Sequence, residues 1–138
     1  MKMIALLFAL SVGFSAFAQS QSPKSLDQII SGVGDLTLRP DEVIRLSDEG
    51  WNGSGEAALR LSLYYGSVRL DFDRAEYWTI IAAENGNAVA QYNAWVQLSD
   101  DRSSSADDKK RAVFWLRKSA AQNDPDAIRE LKKLKPEG

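Results

Sequence analysis

The stretch Arg74–Gln91, R-A-E-Y-W-T-I-I-A-A-E-N-G-N-A-V-A-Q, reads as the end of one helix, a tight turn and the start of the next. Ala75, Trp78, Ala82 and Ala83 fall on one side at helical spacing. Glu84-Asn85-Gly86-Asn87 breaks the pattern with a glycine, which takes up positive φ without steric cost. Ala88, Ala90 and Gln91 then open a second helix with small residues that let a neighbour approach closely. The stretch recurs. Ala112-Val113-Phe114-Trp115 repeats Ala75-Glu76-Tyr77-Trp78, and Ser119 to Ala127 repeats Ala82 to Ala90, both 37 positions on. Gly53 to Ala58 aligns with Gly86 to Gln91, 33 positions on. A period of roughly 20–50 residues is that of a helical solenoid.

Outward from this stretch, the same pattern organises most of the chain. Pro40 suits the first turn of a helix, with Asp41 and Glu42 near its positive end. That helix carries Val43, Ile44 and Leu46 and is expected to stop near Gly50, with Trp51–Gly55 as a turn. It reads as a degenerate half-repeat that caps the array. Glu56–Tyr65 is the first helix of a pair, Gly66–Asp71 its turn and Phe72–Glu84 its partner. Ala88–Leu98 starts the second pair. Ser99–Asp108 is a charged, Ser-rich loop, and Asp107 or Asp108 is expected to cap the helix that runs to Gln122. Asp124 and Pro125 begin a last helix whose outer face is Arg129, Glu130, Lys132, Lys133 and Lys135. Asp35–Arg39 reads as irregular, and Ser25–Ile30 as a short capped helix.

The chain has 138 residues and contains neither Cys nor His. Thiol nucleophiles, disulfides, imidazole bases and the usual zinc ligands are thereby removed together. A formal charge of −2 gives no basic footprint for nucleic acid. Met1-Lys2-Met3, the apolar run Ile4–Phe14 and the small-x-small site Ala16-Phe17-Ala18 read as a secretory signal peptide. The expected organisation is a signal peptide over 1–18, a lead-in with one short helix over 19–39 and a helical-repeat domain over 40–138. Cleavage after Ala18 would leave a periplasmic protein without membrane insertion.

These residues resemble the Sel-one-like repeat family, relatives of the tetratricopeptide repeat. The resemblance rests on Ala57, Leu61 and Tyr65, Gly66-Ser67-Val68, Asp71, Arg74-Ala75-x-x-Trp78 and Ala82-Ala83-x-x-Gly86-x-x-x-Ala90-Gln91. A second copy has Ala90, Ala94, Arg111-Ala112-x-x-Trp115 and Ser119-Ala120-x-x-Asn123-x-x-x-Ala127. Trp95 and Leu98 depart from the family pattern, as does the second loop. The resemblance implies an all-α fold, a short right-handed α-solenoid of antiparallel helix pairs with about six to seven helices. Short signal-bearing members look like periplasmic immunity proteins that neutralise type VI secretion effectors, often lipid-degrading enzymes. An envelope scaffold or regulatory adaptor is the alternative, and a β-lactam-binding hydrolase a further one.

Nothing in the chain supplies a placed catalytic set. Asp71 and Asp73 flank Phe72, and one of the two reads as a helix cap and the other as a solvated charge rather than a dyad. Asp100-Asp101 and Asp107-Asp108 lack the Gly and closing Glu of a calcium loop. Ser103-Ser104-Ser105 reads as a hinge. The expectation is therefore no catalytic residue, no metal and no cofactor. The expected partner is another protein, a secreted toxin or effector, with a homodimer through an open end as a further form of association. Aligning the first helices of the two pairs sets Arg60, Leu63 and Tyr64 against Asn93, Val96 and Gln97 as the exposed positions. Of the adjacent Tyr64 and Tyr65, Tyr65 matches the core and Tyr64 is left for a partner. Trp51, in its turn, is a further anchor, or else a cover for the neighbouring helix pair.

Overall fold

The computed structural model describes residues 35–99 and 105–134. The signal peptide with its cleavage site, the Ser25–Ile30 helix and the centre of the Asp100–Asp108 loop lie outside the described residues. Among the described residues six α-helices follow one another: α1 (Pro40–Trp51), α2 (Gly55–Leu63), α3 (Phe72–Glu84), α4 (Ala88–Leu98), α5 (Ala106–Ala121) and α6 (Pro125–Leu134). A π-helical turn, Tyr64–Val68, extends α2. Among the described residues there is no strand. Each helix packs mainly on its sequence neighbours, giving an all-α array of stacked hairpins.

Three turns set the register, and they are chemically alike. Gly53 (φ 101°), Gly86 (φ 86°) and Asn123 (φ 65°) each hold the left-handed conformation that ends a helix. The amide of the next residue reaches back to the preceding helix each time: Ser54 to Glu49, Asn87 to Ala82 and Asp124 to Ser119. The side chains of those residues then cap the next helix. Ser54, Asn87 and Asp124 accept from the amides of Ala57, Ala90 and Ala127 at 3.2, 2.9 and 2.9 Å. Caps of this kind contribute about 1 kcal/mol each.

Side-chain amides tie each turn to the one before. Asn85 Nδ2 donates to the Gly50 carbonyl at 2.7 Å. Its equivalent 37 positions on, Gln122, donates to the Gly86 carbonyl at 2.9 Å and to Gln91 Oε1 at 2.8 Å. Gln91 in turn donates to the Ala83 carbonyl at 3.1 Å, and Ser119 Oγ to the Ala88 carbonyl at 2.8 Å. The ladder satisfies carbonyls that helix ends leave open.

Small residues sit where helices cross, and large ones fill the spaces between pairs. Ala58, Ala82, Ala83, Ala90 and Ala94 are buried, as are Leu59, Leu61 and Leu116. Trp78 and Trp115 are 6% and 8% exposed and share one core cluster. A Cβ on Gly50 would stand 3.0 Å from Trp78 Cζ3 and 3.4 Å from the Ala58 Cβ, so the Trp78 indole seats in the cleft between α1 and α2. Inside the α2–α3 pair, Ser62 Oγ and Thr79 Oγ1 are 2.6 Å apart, and Thr79 donates to the Ala75 carbonyl at 2.9 Å.

The structure corrects the sequence reading in four places. Helix α1 takes in Trp51, because the positive-φ residue that stops it is Gly53. Helix α2 ends at Leu63, and the chain passes into the π turn before it bends, so the expected turn at Gly66–Asp71 shrinks to its last three residues. Tyr64 and Tyr65 do not divide between core and solvent. Both are half-buried against the core with ring centroids 5.2 Å apart, since the widened turn keeps both rings on the inner side. The cap of α5 is Ser105, whose hydroxyl accepts from the Asp108 amide at 3.1 Å while Asp108 Oδ2 accepts from the Ser105 amide at 3.0 Å. A serine with an acid three residues on forms a reciprocal box that neither aspartate forms alone.

Candidate interaction surface

The helices α2, α4 and α6 are equivalent by their caps, so the positions expected to be exposed can be followed from one to the next. Arg60 and Leu63 line a groove of about 270 Å³ between α1 and α2, over Leu46, Ala57 and Leu59. Arg60 Nε is buried there without a hydrogen-bond partner among the described residues. On α4, Asn93 is half-buried while Val96 and Gln97 are exposed, Val96 by 49%. Residues three and four apart share a helix face, so Asn93, Val96 and Gln97 form one strip. Tyr64 lies at the end of α2, edge-on to Tyr65 and only half-open to a partner.

Trp51 does not join this group. Its ring is 62% exposed and lies against α3, with centroids 5.8 Å from Tyr77 and 5.9 Å from Trp78, both edge-to-face. It lids the Trp78 indole, which is the covering role, and still presents an open aromatic face.

Sequence reasoning missed the loop between α2 and α3. Val68, Leu70 and Phe72 are all exposed, Leu70 by 67% and Phe72 by 68%. Leu70 holds φ 52°, a conformation that costs a branched residue of this size about 1–2 kcal/mol. The loop is pinned on both sides. Arg69 N–H donates to the Tyr64 carbonyl at 3.1 Å and Asp71 N–H to the Tyr65 carbonyl at 2.9 Å. Asp71 Oδ1 caps α3 through the Arg74 amide at 3.1 Å, and the Arg74 guanidinium lies 5.3 Å from the Tyr65 ring centre. Three apolar side chains are thus held outward on a fixed backbone. Apolar residues at alternate positions within a turn, Val68, Leu70 and Phe72, were the available signal.

Val96 and Gln97 lie in the last turn of α4, and Val68, Leu70 and Phe72 lie between α2 and the first residue of α3. Exposed apolar side chains gathered within one loop, such as Val68, Leu70 and Phe72, mark a candidate interaction site.

No protein-family model matches the chain. No solved structure matches it. The chain is similar to an uncharacterised protein, YibG, of Escherichia coli strain K12. The two are 29% identical over 103 residues, which covers 71% of this chain and 67% of that protein.

The titratable groups that depart from ordinary behaviour are tied to the helix framework. Burial pushes the Asp124 carboxyl up, against the hydrogen bond that the Ala127 amide donates to it, which pulls it down. Burial also raises the Tyr92 phenol, with the carboxylates of Asp126 and Glu130 adding to it. Hydrogen bonds from Ser105 hold the Asp108 carboxyl below the usual range. Among the described residues no three His, Cys, Asp or Glu side chains gather as metal ligands. Among them, too, no helix is long and apolar enough to cross a membrane.

Proposed function

We propose that this chain is a non-enzymatic, protein-binding helical-repeat module of the bacterial periplasm. In this reading it is an immunity protein that covers a secreted antibacterial effector, of the lipid-degrading class delivered by type VI secretion. The observation that carries the binding reading is the loop between α2 and α3: Val68, Leu70 and Phe72 are exposed on a turn that holds Leu70 at positive φ and ties the Arg69 and Asp71 amides back to Tyr64 and Tyr65. A strained, exposed apolar turn costs stability and lowers solubility, so a partner that covers it offsets both. The resemblance to Sel-one-like repeat proteins supplies the narrower identification, and the leader-like first eighteen residues supply the compartment.

The mechanism is occlusion. A framework of short hairpins tied turn to turn loses little conformational entropy on binding, which leaves more of the contact energy for affinity. Arg60, in a groove that Arg45, Glu49 and Glu56 also line, and the Asn93–Val96–Gln97 strip extend the contact beyond the loop. Phe72 and Arg60 are of the residue types enriched in interface cores.

Affinity capture from an envelope extract, with the wild-type chain beside a Leu70→Asp/Phe72→Asp variant, tests the reading. The wild type is expected to retain one protein that the variant loses, with both chains equally helical by circular dichroism. Co-expression of that protein with the wild-type chain is then expected to relieve its toxicity, and co-expression with the variant is not. A retained protein that harms no cell would sink the immunity reading and leave a scaffold. Equal capture by both chains would sink the loop as the site.

A further inference from the structure

We propose that the C-terminal end of the array is a second docking slot, made for an acidic amphipathic helix that presents an aromatic side chain. The site is the cleft between α5 and α6. Its walls are Ala120, Ile128 and Leu131, rimmed by Arg117 and Lys132, around a concavity of about 370 Å³. A second hollow continues it over Val113, Leu131 and Leu134. Among the described residues no helix fills it.

The rest of the fold shows what such a cleft takes. The cleft between α1 and α2 is walled by Gly50 and Ala58, and α3 inserts Trp78 there. The corresponding positions 33 residues on are Ala83 of α3 and Gln91 of α4, both buried. The helix that follows, α5, brings Trp115 into the same buried cluster and is fixed to α4 through Ser119 and Gln122. Adding 37 to Ala83 and Gln91 gives Ala120 and Ile128, the walls of the open cleft. Leu131 corresponds to Leu61 and Ala94, which are both fully buried, yet it remains only half-covered. The open cleft is therefore a third seat of the same make, and its occupant must be a helix with a small-x-x-aromatic-x-x-x-small face.

The rim states the charge of that helix. Arg117 and Lys132 stand where the filled clefts have Ile80 and Trp95, or Ser47 and Ser62. Neither cation forms an ion pair among the described residues. Carboxylates on the flanks of the incoming helix would meet both, at an edge where opposite charge sets specificity and approach rate.

A second copy of this chain does not supply the occupant. Trp78 and Trp115 are already buried in their own seats. Helix α1, the free end of another copy, carries Glu42, Arg45 and Glu49 where α3 carries Ala75, Trp78 and Ala82. It lacks the indole, and its Arg45 is paired to Glu49 at 2.6 Å. The occupant belongs to a different protein.

The test uses a labelled peptide of the Asp71–Asn85 sequence, held helical by a staple on its solvent face. That sequence has Ala75, Trp78 and Ala82 on one side, and Asp71, Asp73, Glu76 and Glu84 against a single Arg74. Fluorescence anisotropy with the purified chain is expected to give saturable binding. A Trp78→Ala change in the peptide is expected to weaken it at least tenfold, as is Leu131→Asp in the protein. Arg117→Glu/Lys132→Glu is expected to weaken it several-fold and to remove its salt dependence. Helicity and melting temperature of each protein variant are measured alongside, and Lys132→Glu alone serves as the mildest variant should Leu131→Asp not fold. No saturable binding, or binding indifferent to Leu131 and Lys132 together, would overturn the proposal. So would concentration-dependent self-association that Leu131→Asp abolishes, since a second copy would then be the occupant.

Discussion

Trp78 and Trp115 occupy equivalent seats but differ in one atom's environment, and that difference is measurable. Trp78 is 6% exposed, lies on Gly50 and meets Trp51 and Tyr77 edge-on. Trp78→Ala removes a large buried aromatic, which costs roughly 3–5 kcal/mol. A domain of this size holds about 5–15 kcal/mol in all, so the variant loses a large share of its stability. At about 4–8 °C per kcal/mol, its melting temperature falls by roughly 12–40 °C. Replacement by Phe separates the two sites. The Trp115 Nε1 donor is buried with no partner among the described residues, a state that costs about 1–3 kcal/mol. Trp115→Phe loses ring area but also relieves that cost, so the two effects largely offset and the net change stays within about 1 kcal/mol. Trp78→Phe has no such relief and also loses part of the stacking with Trp51. Urea denaturation followed by circular dichroism at 222 nm reads both, since removing an indole spoils fluorescence. Equal costs for the two Phe variants would refute the assignment of an unpartnered indole to Trp115. A cost below about 1 kcal/mol for Trp78→Ala would refute the packing account as a whole.

Asp124→Asn is expected to stabilise the fold at neutral pH, because Asn87 already performs the same capping at the preceding turn. Burial holds the folded-state pKa of Asp124 above its unfolded value, so the ionised form costs stability above the folded pKa and nothing below the unfolded one. The advantage of the variant should therefore shrink to zero as pH falls through that window, and an advantage that persists in acid would contradict the cause given. Leu70→Gly removes a left-handed strain and little packing, so stability should rise by up to about 1 kcal/mol while partner capture weakens; a loss of stability would show that Leu70 packs more than its exposure implies. In the Ser62–Thr79 pair, Thr79 gives its proton to the Ala75 carbonyl, so Ser62 must be the donor between them. Thr79→Val orphans that donor and should cost about 1–3 kcal/mol, with the Ser62→Ala/Thr79→Val double variant costing less than the sum of the two single changes.

The architecture was legible because the repeat writes the same chemistry at each turn. A small or left-handed residue, a capping side chain and an alanine three positions on are local signals. They fixed α3 and α4 to the residue. That one of Asp71 and Asp73 caps α3 was legible for the same reason, and the structure assigns the cap to Asp71. What escaped were features that depend on geometry beyond one turn. The π turn at Tyr64–Val68 has no composition of its own, and it moved both tyrosines inward. The left-handed Leu70 defies the preference for glycine, so no residue type announced it. The expected strip on α2 and α4 proved uneven, since Arg60 and Leu63 belong to a groove with α1 while Val96 and Gln97 stand open. The open cleft at α6 was masked by the basic surface of that helix, whose Ile128 and Leu131 reveal themselves only once their buried equivalents are known.

The binding claim meets its most direct test in the affinity of the captured partner for a Phe72→Asp/Val96→Asp variant, measured by titration calorimetry. The control is Ile44→Asp on α1, which is as exposed as Phe72. The expected outcome is at least a hundredfold loss for the double variant, with melting temperature unchanged and the control binding as the wild type does. Undiminished affinity in the double variant, or an equal loss in the control, would place the interface elsewhere and contradict the account.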